Sequence, residues 1–195
     1  MKLEVSFYKR NDVARIAREL LGKALFTRQN GALTGGMIVE TEAYSSIERG
    51  CHAYQNRKTK RNEVMFKAGG QAYVYLCYGI HNMFNVVTNS SGKADAVLIR
   101  ALEPIRGIDL ILNRMNSINP KKITSGPGKL TKAMGIDRTL NGVSLKSHRL
   151  WLEDIGCTIA MNNVVCSKRI GIDYAGKDAL LPWRFTIKNS QWISK

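Results

Sequence analysis

The chain has 195 residues, 44% of them hydrophobic, and carries 30 Lys and Arg against 15 Asp and Glu. That length suits one domain burying about 70% of its unfolded surface, and no Pro/Gly/Ser-rich linker, internal repeat or low-complexity tract divides it. The formal charge of +15 favours polyanionic partners, nucleic acid first, over small neutral ligands. A membrane role is disfavoured: no apolar run approaches the ~20 residues of a bilayer span, and Met1-Lys2-Leu3-Glu4-Val5 lacks a signal-peptide core. A cytoplasmic location is expected.

In chain order, Asn11-Asp12 marks a helix start. Val13, Ile16, Ala17, Leu20 and Leu21 follow at helical spacing, and Gly22 supplies the stop. Met37 to Tyr44 reads as a strand beginning after Gly35-Gly36. Strict alternation would put Ile38, Glu40, Glu42 and Tyr44 on one face and Met37, Val39, Thr41 and Ala43 on the other. Residues 45 to 71 form a long polar region with a basic cluster, Arg57, Lys58, Lys60 and Arg61. Next comes Ala72-Tyr73-Val74-Tyr75-Leu76-Cys77-Tyr78-Gly79, which holds three of the seven tyrosines. It reads as a buried strand ending in an aromatic at a glycine turn, with Cys77 as a small core residue. Met83 to Thr88 and Asp95 to Leu102 are further strands, the latter with Leu98 and Arg100 on one face.

Ile105 to Met115 is predicted helical. A loop, Thr124 to Lys129, leads into a short helix that stops at Gly135. Arg169 to Ile172 and Trp183 to Ile187 suggest two more strands. The pattern predicts an α+β (mixed α/β) fold over residues 1–195, a single domain with a central curved, largely antiparallel sheet flanked by helices.

Several residues could carry chemistry. Glu42 beside Tyr44 on a strand face suits a general base, and Arg100 is a cation able to join the same sheet. The same spacing also fits a plain Glu–Arg ion pair at a sheet edge. Glu40 shares the face, and paired carboxylates can divide acid and base work or simply diverge toward solvent. Ser125-Gly126-Pro127-Gly128-Lys129 before a helix suits an anion contact, or an ordinary loop-to-helix turn. The Arg57–Arg61 cluster suits phosphate contact. Asn85, in an apolar strand, needs a partner or lines a pocket. Cys51, Cys77, Cys157 and Cys166 have no C-x-x-C spacing, and His52, His81 and His148 form no H-x-E pattern. No metal site is expected, which disfavours a zinc deaminase. An inert nucleic-acid-binding protein remains an alternative, and a small-nucleoside hydrolase would carry +15 oddly.

Taken together, Ile38 to Tyr44, Arg61-Asn62 with Met65-Phe66, Tyr73 to Tyr75 with Tyr78-Gly79, Asn85, Val97 to Pro104, Ser125-Gly126-Pro127 with Lys129-Leu130, and Arg169-Ile170-Gly171 resemble the alkyladenine DNA glycosylases. These are the 3-methyladenine DNA glycosylases of the mammalian type. The resemblance covers nearly the whole chain and implies a monomer, without cofactor, that binds double-stranded DNA, flips a damaged purine and hydrolyses its N-glycosidic bond. Candidate bases are 3-methyladenine, 7-methylguanine, hypoxanthine and ethenoadenine. By that resemblance Glu42 is the base activating water, and Arg100 helps hold water and phosphate. Tyr44, His52 and Tyr75 stack on the flipped base, and Asn85 discriminates against guanine. Tyr78 is the wedge left in the helix. Arg57, Lys60, Arg61, Gly126 and Lys129 are then DNA-backbone contacts, and Tyr73 is support. Lys60 and Asn82 depart from residues common in the family, a proline and an aromatic.

Overall fold

The computed structural model describes residues 1–194. Two short helices, α1 (Val5–Tyr8) and α2 (Val13–Glu19), open the chain. α2 starts where predicted because the Asp12 carboxylate accepts the Arg15 amide at 2.8 Å, satisfying one of the free donors of a first helical turn. Eight strands follow: β1 (Ala24–Gln29), β2 (Ala32–Tyr44), β3 (Ala72–Cys77), β4 (His81–Thr88), β5 (Asp95–Arg106), β6 (Leu150–Glu153), β7 (Val164–Ser167) and β8 (Arg184–Ile187). Between β5 and β6 lie α3 (Ile108–Met115) and α4 (Pro127–Met134). The strands form one sheet in the order β3-β4-β5-β2-β1-β6, with β8 beside β2 and β7 beside β8. Every pairing is antiparallel, so the predicted mixed α/β class holds.

β2 is longer than its sequence suggests. Gly35 and Gly36 lie inside it and pair with β1 and β5, where a Cβ on either would overlap the Phe26 ring or the Leu102 side chain. β1 and β2 are joined through Asn30-Gly31, both at positive φ, the strongest short hairpin signal a sequence can carry. β5 runs on through Ile105 and Arg106, and α3 begins only after Gly107.

The two faces of the sheet differ. Ala72, Val74, Phe84, Val86, Val97, Ile99 and Ala43 belong to the main core, together with α2 and α4. The opposite face carries Tyr73, Val87 and Ala96, covered by Cys51, Ala53, Val64 and Met65 of the long 45–71 connection. Ile38 breaks the predicted alternation. The β2–β5 register slips between Ile38 and Glu40, an extra residue at Val39 that turns Ile38 into the main core while Glu40 and Glu42 stay on the other face. Arg169 to Ile172 is not a strand: it is a bend with Gly171 at φ 76°, and its groups are spent on the site described next.

Candidate active site

The register aligns the chemistry in a single transverse row. Tyr73 pairs with Asn85, Asn85 with Leu98, Leu98 with Glu42, and Glu42 with Arg184. These residues come from β3, β4, β5, β2 and β8, and directly opposed side chains in such pairs stand roughly 5 Å apart. Arg100 and Tyr44 lie two positions along the same face.

Both carboxylates of β2 are fully buried (0% exposed), yet their bonding differs. Glu40 accepts from Arg100 Nε at 3.0 Å, Arg184 Nε at 2.7 Å, Ser194 N at 2.6 Å and Ser194 Oγ at 2.7 Å. Three of these donors meet Oε1 and one meets Oε2. Glu42 accepts from the Tyr44 hydroxyl at 2.8 Å and Arg100 Nη1 at 3.1 Å on Oε2, and from the Ile170 amide at 2.8 Å on Oε1. Each carboxylate thus has one oxygen with a single donor, and Glu42 has three donors in all to the four of Glu40. Burial opposes the Arg100 charge, but Glu42 and then Glu40 act the other way and hold its pKa above the usual arginine value. Burial, and then Glu42, push Tyr44 well above the usual phenol range, so it is a neutral donor.

A cleft of about 460 Å³ opens above this row, lined by Tyr44, His52, Tyr75, Asn85, Arg100 and Tyr78 among others. Glu42 does not reach its wall directly. The Tyr44 hydroxyl and the Arg100 guanidinium, both lining the cleft, stand on its Oε2. His52 and Tyr75 meet edge-on with ring centres 4.5 Å apart, and His52 Nδ1 lies 3.0 Å from the Tyr73 hydroxyl. Tyr73 therefore supports the imidazole. Asn85 donates its amide to the Tyr73 carbonyl at 3.2 Å and still lines the cleft. Cys77 lines the cleft too and is half-buried, a correction to its expected core position: its parity on β3 is that of Tyr73 and Tyr75. Cys51 and His52 diverge, since Cys51 Sγ lies against the Ala94 carbonyl and burial pushes its thiol up to about 12. Among the described residues no cluster of three or more His, Cys, Asp or Glu could hold a metal.

Burial and then Arg61 depress the His52 pKa below 6.5. Between its folded value and 6.5 the unfolded chain binds the proton more tightly, so this residue's contribution is full above 6.5 and declines as pH falls below it. His52→Asn is expected to flatten the fall in melting temperature between about pH 6.5 and about pH 5. An unchanged slope would show that the imidazole is not held neutral.

Arg169 is the residue that sequence spacing misses. It forms a bidentate pair with Glu48, at 2.7 and 2.8 Å, and donates to the carbonyls of Ala43 and Asp178 at 2.9 Å each. Its guanidinium sits 4.7 Å from the Tyr44 ring centre and 5.4 Å from that of Trp183. One side chain thus fixes the bend that sends the Ile170 amide to Glu42, and backs Tyr44 as well. Glu48→Ala strands this buried cation, which costs about 3–5 kcal/mol. The melting temperature is expected to fall by roughly 10 °C, and a fall under about 3 °C would mean that the pair contributes little.

On the far lip, Ile172, Ala175 and Ala179 pack against Tyr44 and present Tyr174, which lines the cleft. Tyr78 occupies the β3–β4 turn, 87% exposed at φ 49°, with Gly79 at φ 74° and Ile80 N bonded to the Cys77 carbonyl at 3.1 Å. Positive φ at both central residues is the signature of a type I′ turn. Arg57 and Lys60 are exposed, whereas Arg61 donates to the Leu76 carbonyl at 3.0 Å and lies over the Tyr75 ring. Gly126, at φ 107°, is the N-cap of α4. Lys129 opens onto a second cleft of about 650 Å³ with Lys132, His81 and Ile80. Among the described residues, four carboxylates (Glu40, Glu42, Glu48 and Asp95) but two cations (Arg100 and Arg169) are buried, which leaves their surface with a larger positive excess.

Residues 6–191 match the family model described as methylpurine-DNA glycosylase. The chain belongs to this family. Among its relatives, a chain of Carboxydothermus hydrogenoformans is 48% identical over the full length of both. One from Natranaerobius thermophilus is 43% identical over 100% of this chain and 99% of its own. One from Methanocella arvoryzae is 47% identical over 97% and 94% respectively. All three are named provisionally as 3-methyladenine DNA glycosylases. In this chain the Ile38–Tyr44 block lies in β2 and the Val97–Pro104 block in β5. The Arg169–Gly171 block is the bend that carries the Ile170 amide.

Proposed function

We propose that the protein is a monofunctional DNA glycosylase that extrudes alkylated or deaminated purines from duplex DNA and hydrolyses the bond to C1′. The observation that carries this reading is the difference between two equally buried carboxylates: two of Glu42's three donors, Tyr44 and Arg100, line the aromatic cleft, whereas three of Glu40's four come from Arg184 and Ser194, which do not. Glu42 accepts a proton from water as the oxygen bonds to C1′ and the purine departs with the electrons of the N-glycosidic bond. Its anionic charge also stabilises the cationic sugar of the transition state. Water reaches Glu42 when the Tyr44 hydroxyl turns away from Oε2, as a base stacks on that ring.

The cleft's electronic character supports cationic lesions. Tyr44 and Tyr75 are neutral phenols, and their faces attract a positively charged ring such as a 3- or 7-methylated purine. Such a base leaves neutral, without protonation. Hypoxanthine must gain a proton on leaving, and ethenoadenine is a neutral base like it. Extrusion costs a few kcal/mol, which stacking, phosphate contacts from the basic surface and the Tyr78 wedge offset. The chemistry needs no metal or organic cofactor, and one copy of the chain holds every group invoked.

One observation favours a second reading. The shielding of Glu42 by Tyr44 and Arg100 fits a protein that binds lesions without cutting them. Incubation with methylated, hypoxanthine and ethenoadenine duplexes separates the two: free purine with an intact sugar–phosphate chain supports the enzyme, and salt-sensitive binding with no released base overturns it.

A further inference from the structure

We propose that Ser194, acting with Glu40, is a positioning residue for Arg100. The inference deepens the proposed glycosylase reading and rests on it. Arg100 has five N–H donors and spends them in a fixed order. Nε goes to Glu40 at 3.0 Å, Nη1 to Glu42 at 3.1 Å, and Nη2 to Ser194 Oγ at 3.3 Å. Two donors remain, one on each terminal nitrogen, on a side chain that lines the cleft.

Ser194 is a hub and not a passive neighbour. Its amide and hydroxyl both donate to Glu40, at 2.6 and 2.7 Å, while its carbonyl accepts from Arg184 Nη2 at 3.1 Å. Its hydroxyl oxygen accepts from Arg100, so one side chain closes a loop of bonds through Ser194, Glu40 and Arg100. The charges balance across the group: Glu40 and Glu42 face Arg100 and Arg184. Arg184 gives Glu40 a second cationic partner, so that Arg100 is not taken wholly from Glu42. An arginine held at one end only would keep most of its rotamer freedom. Held at three, it presents its spare donors in one geometry, and a misplacement of about 1 Å can cost up to about a hundredfold in rate.

The test uses the full chain as wild type, Ser194→Ala and Ser194→Thr. Single-turnover release of methylpurines from dimethyl-sulfate-treated duplex is compared with affinity for a duplex carrying a tetrahydrofuran abasic analogue. The alanine variant is expected to lose about tenfold in rate with affinity within about twofold, and threonine, which keeps the hydroxyl, to recover the rate to within about threefold. An alanine rate within about twofold of wild type overturns the clamp, as does a joint loss of rate and affinity that threonine fails to rescue. The two readings fail differently. If wild type releases purine and Glu42→Gln does not, a normal rate in Ser194→Ala removes the clamp alone. If wild type releases no purine, the glycosylase reading and the clamp fall together.

Discussion

Glu42→Gln is expected to slow purine release by about a thousandfold, within the range general-base catalysis contributes, while affinity for abasic-site DNA stays within about threefold of wild type. Glutamine has the same shape and can still accept from the Ile170 amide, so the bend at Arg169–Ile172 keeps its anchor. It cannot take a proton from water or offer negative charge to a cationic sugar. The DNA-facing groups are untouched, because Glu42 has no exposed surface of its own. Quench-flow release assays paired with fluorescence anisotropy check both halves. A rate near wild type would remove Glu42 from its role, and a large loss of affinity would mean that the substitution had collapsed the cleft.

Tyr78→Asn is expected to move stability and function in opposite directions. An aromatic residue at φ 49° sits in a region that costs an ordinary residue about 1–2 kcal/mol. Asparagine tolerates it and is the preferred residue before glycine in such a turn. The variant is therefore expected to melt a few degrees higher, consistent with about 1 kcal/mol of relieved strain. It is also expected to bind lesion duplex at least about tenfold more weakly, because nothing then fills the space left by the extruded base. Tyr78→Phe, keeping the ring and the strain, should resemble wild type in both respects. A melting temperature that falls with asparagine would contradict the strain argument; unchanged lesion affinity would contradict the wedge.

Much of the fold is legible in local pattern. Asp12 before an apolar periodic run marks α2, and alternation in Tyr73 to Cys77 and in Val97 to Arg100 assigns faces that the sheet then uses. The shared face of Glu40 and Glu42 follows from the same rule. Ile38 does not, because the slip at Val39 depends on how β5 pairs across from it. Arg169-Ile170-Gly171-Ile172 has the composition of a strand but not its bonding: its amide and guanidinium are committed to Glu42, Glu48 and two carbonyls. β1 carried a usable signal in Asn30-Gly31. β6 and β7, four residues each, are too short to show a period.

The site divides in the same way. Glu42, Tyr44, Tyr75, Asn85 and Arg100 lie in strands whose periodicity brings them to one face. The groups that hold them do not lie in readable patterns. Arg169 pairs with a residue 121 positions away, and Ser194 bonds to one 154 positions away. Nothing local marks either, and only the completed sheet brings them together.

The transverse row has a consequence for how the molecule matures. Its members come from five strands spread between residues 42 and 184, so no hairpin or partial sheet contains a working set. A chain that stops short of β8 lacks Arg184 and Ser194, and leaves Glu40 without three of its four donors. Loop closure over such separations comes late in folding. Recovery of catalysis after dilution from denaturant should therefore coincide with the last, global phase of refolding, and fragments or nicked chains should hold no residual turnover.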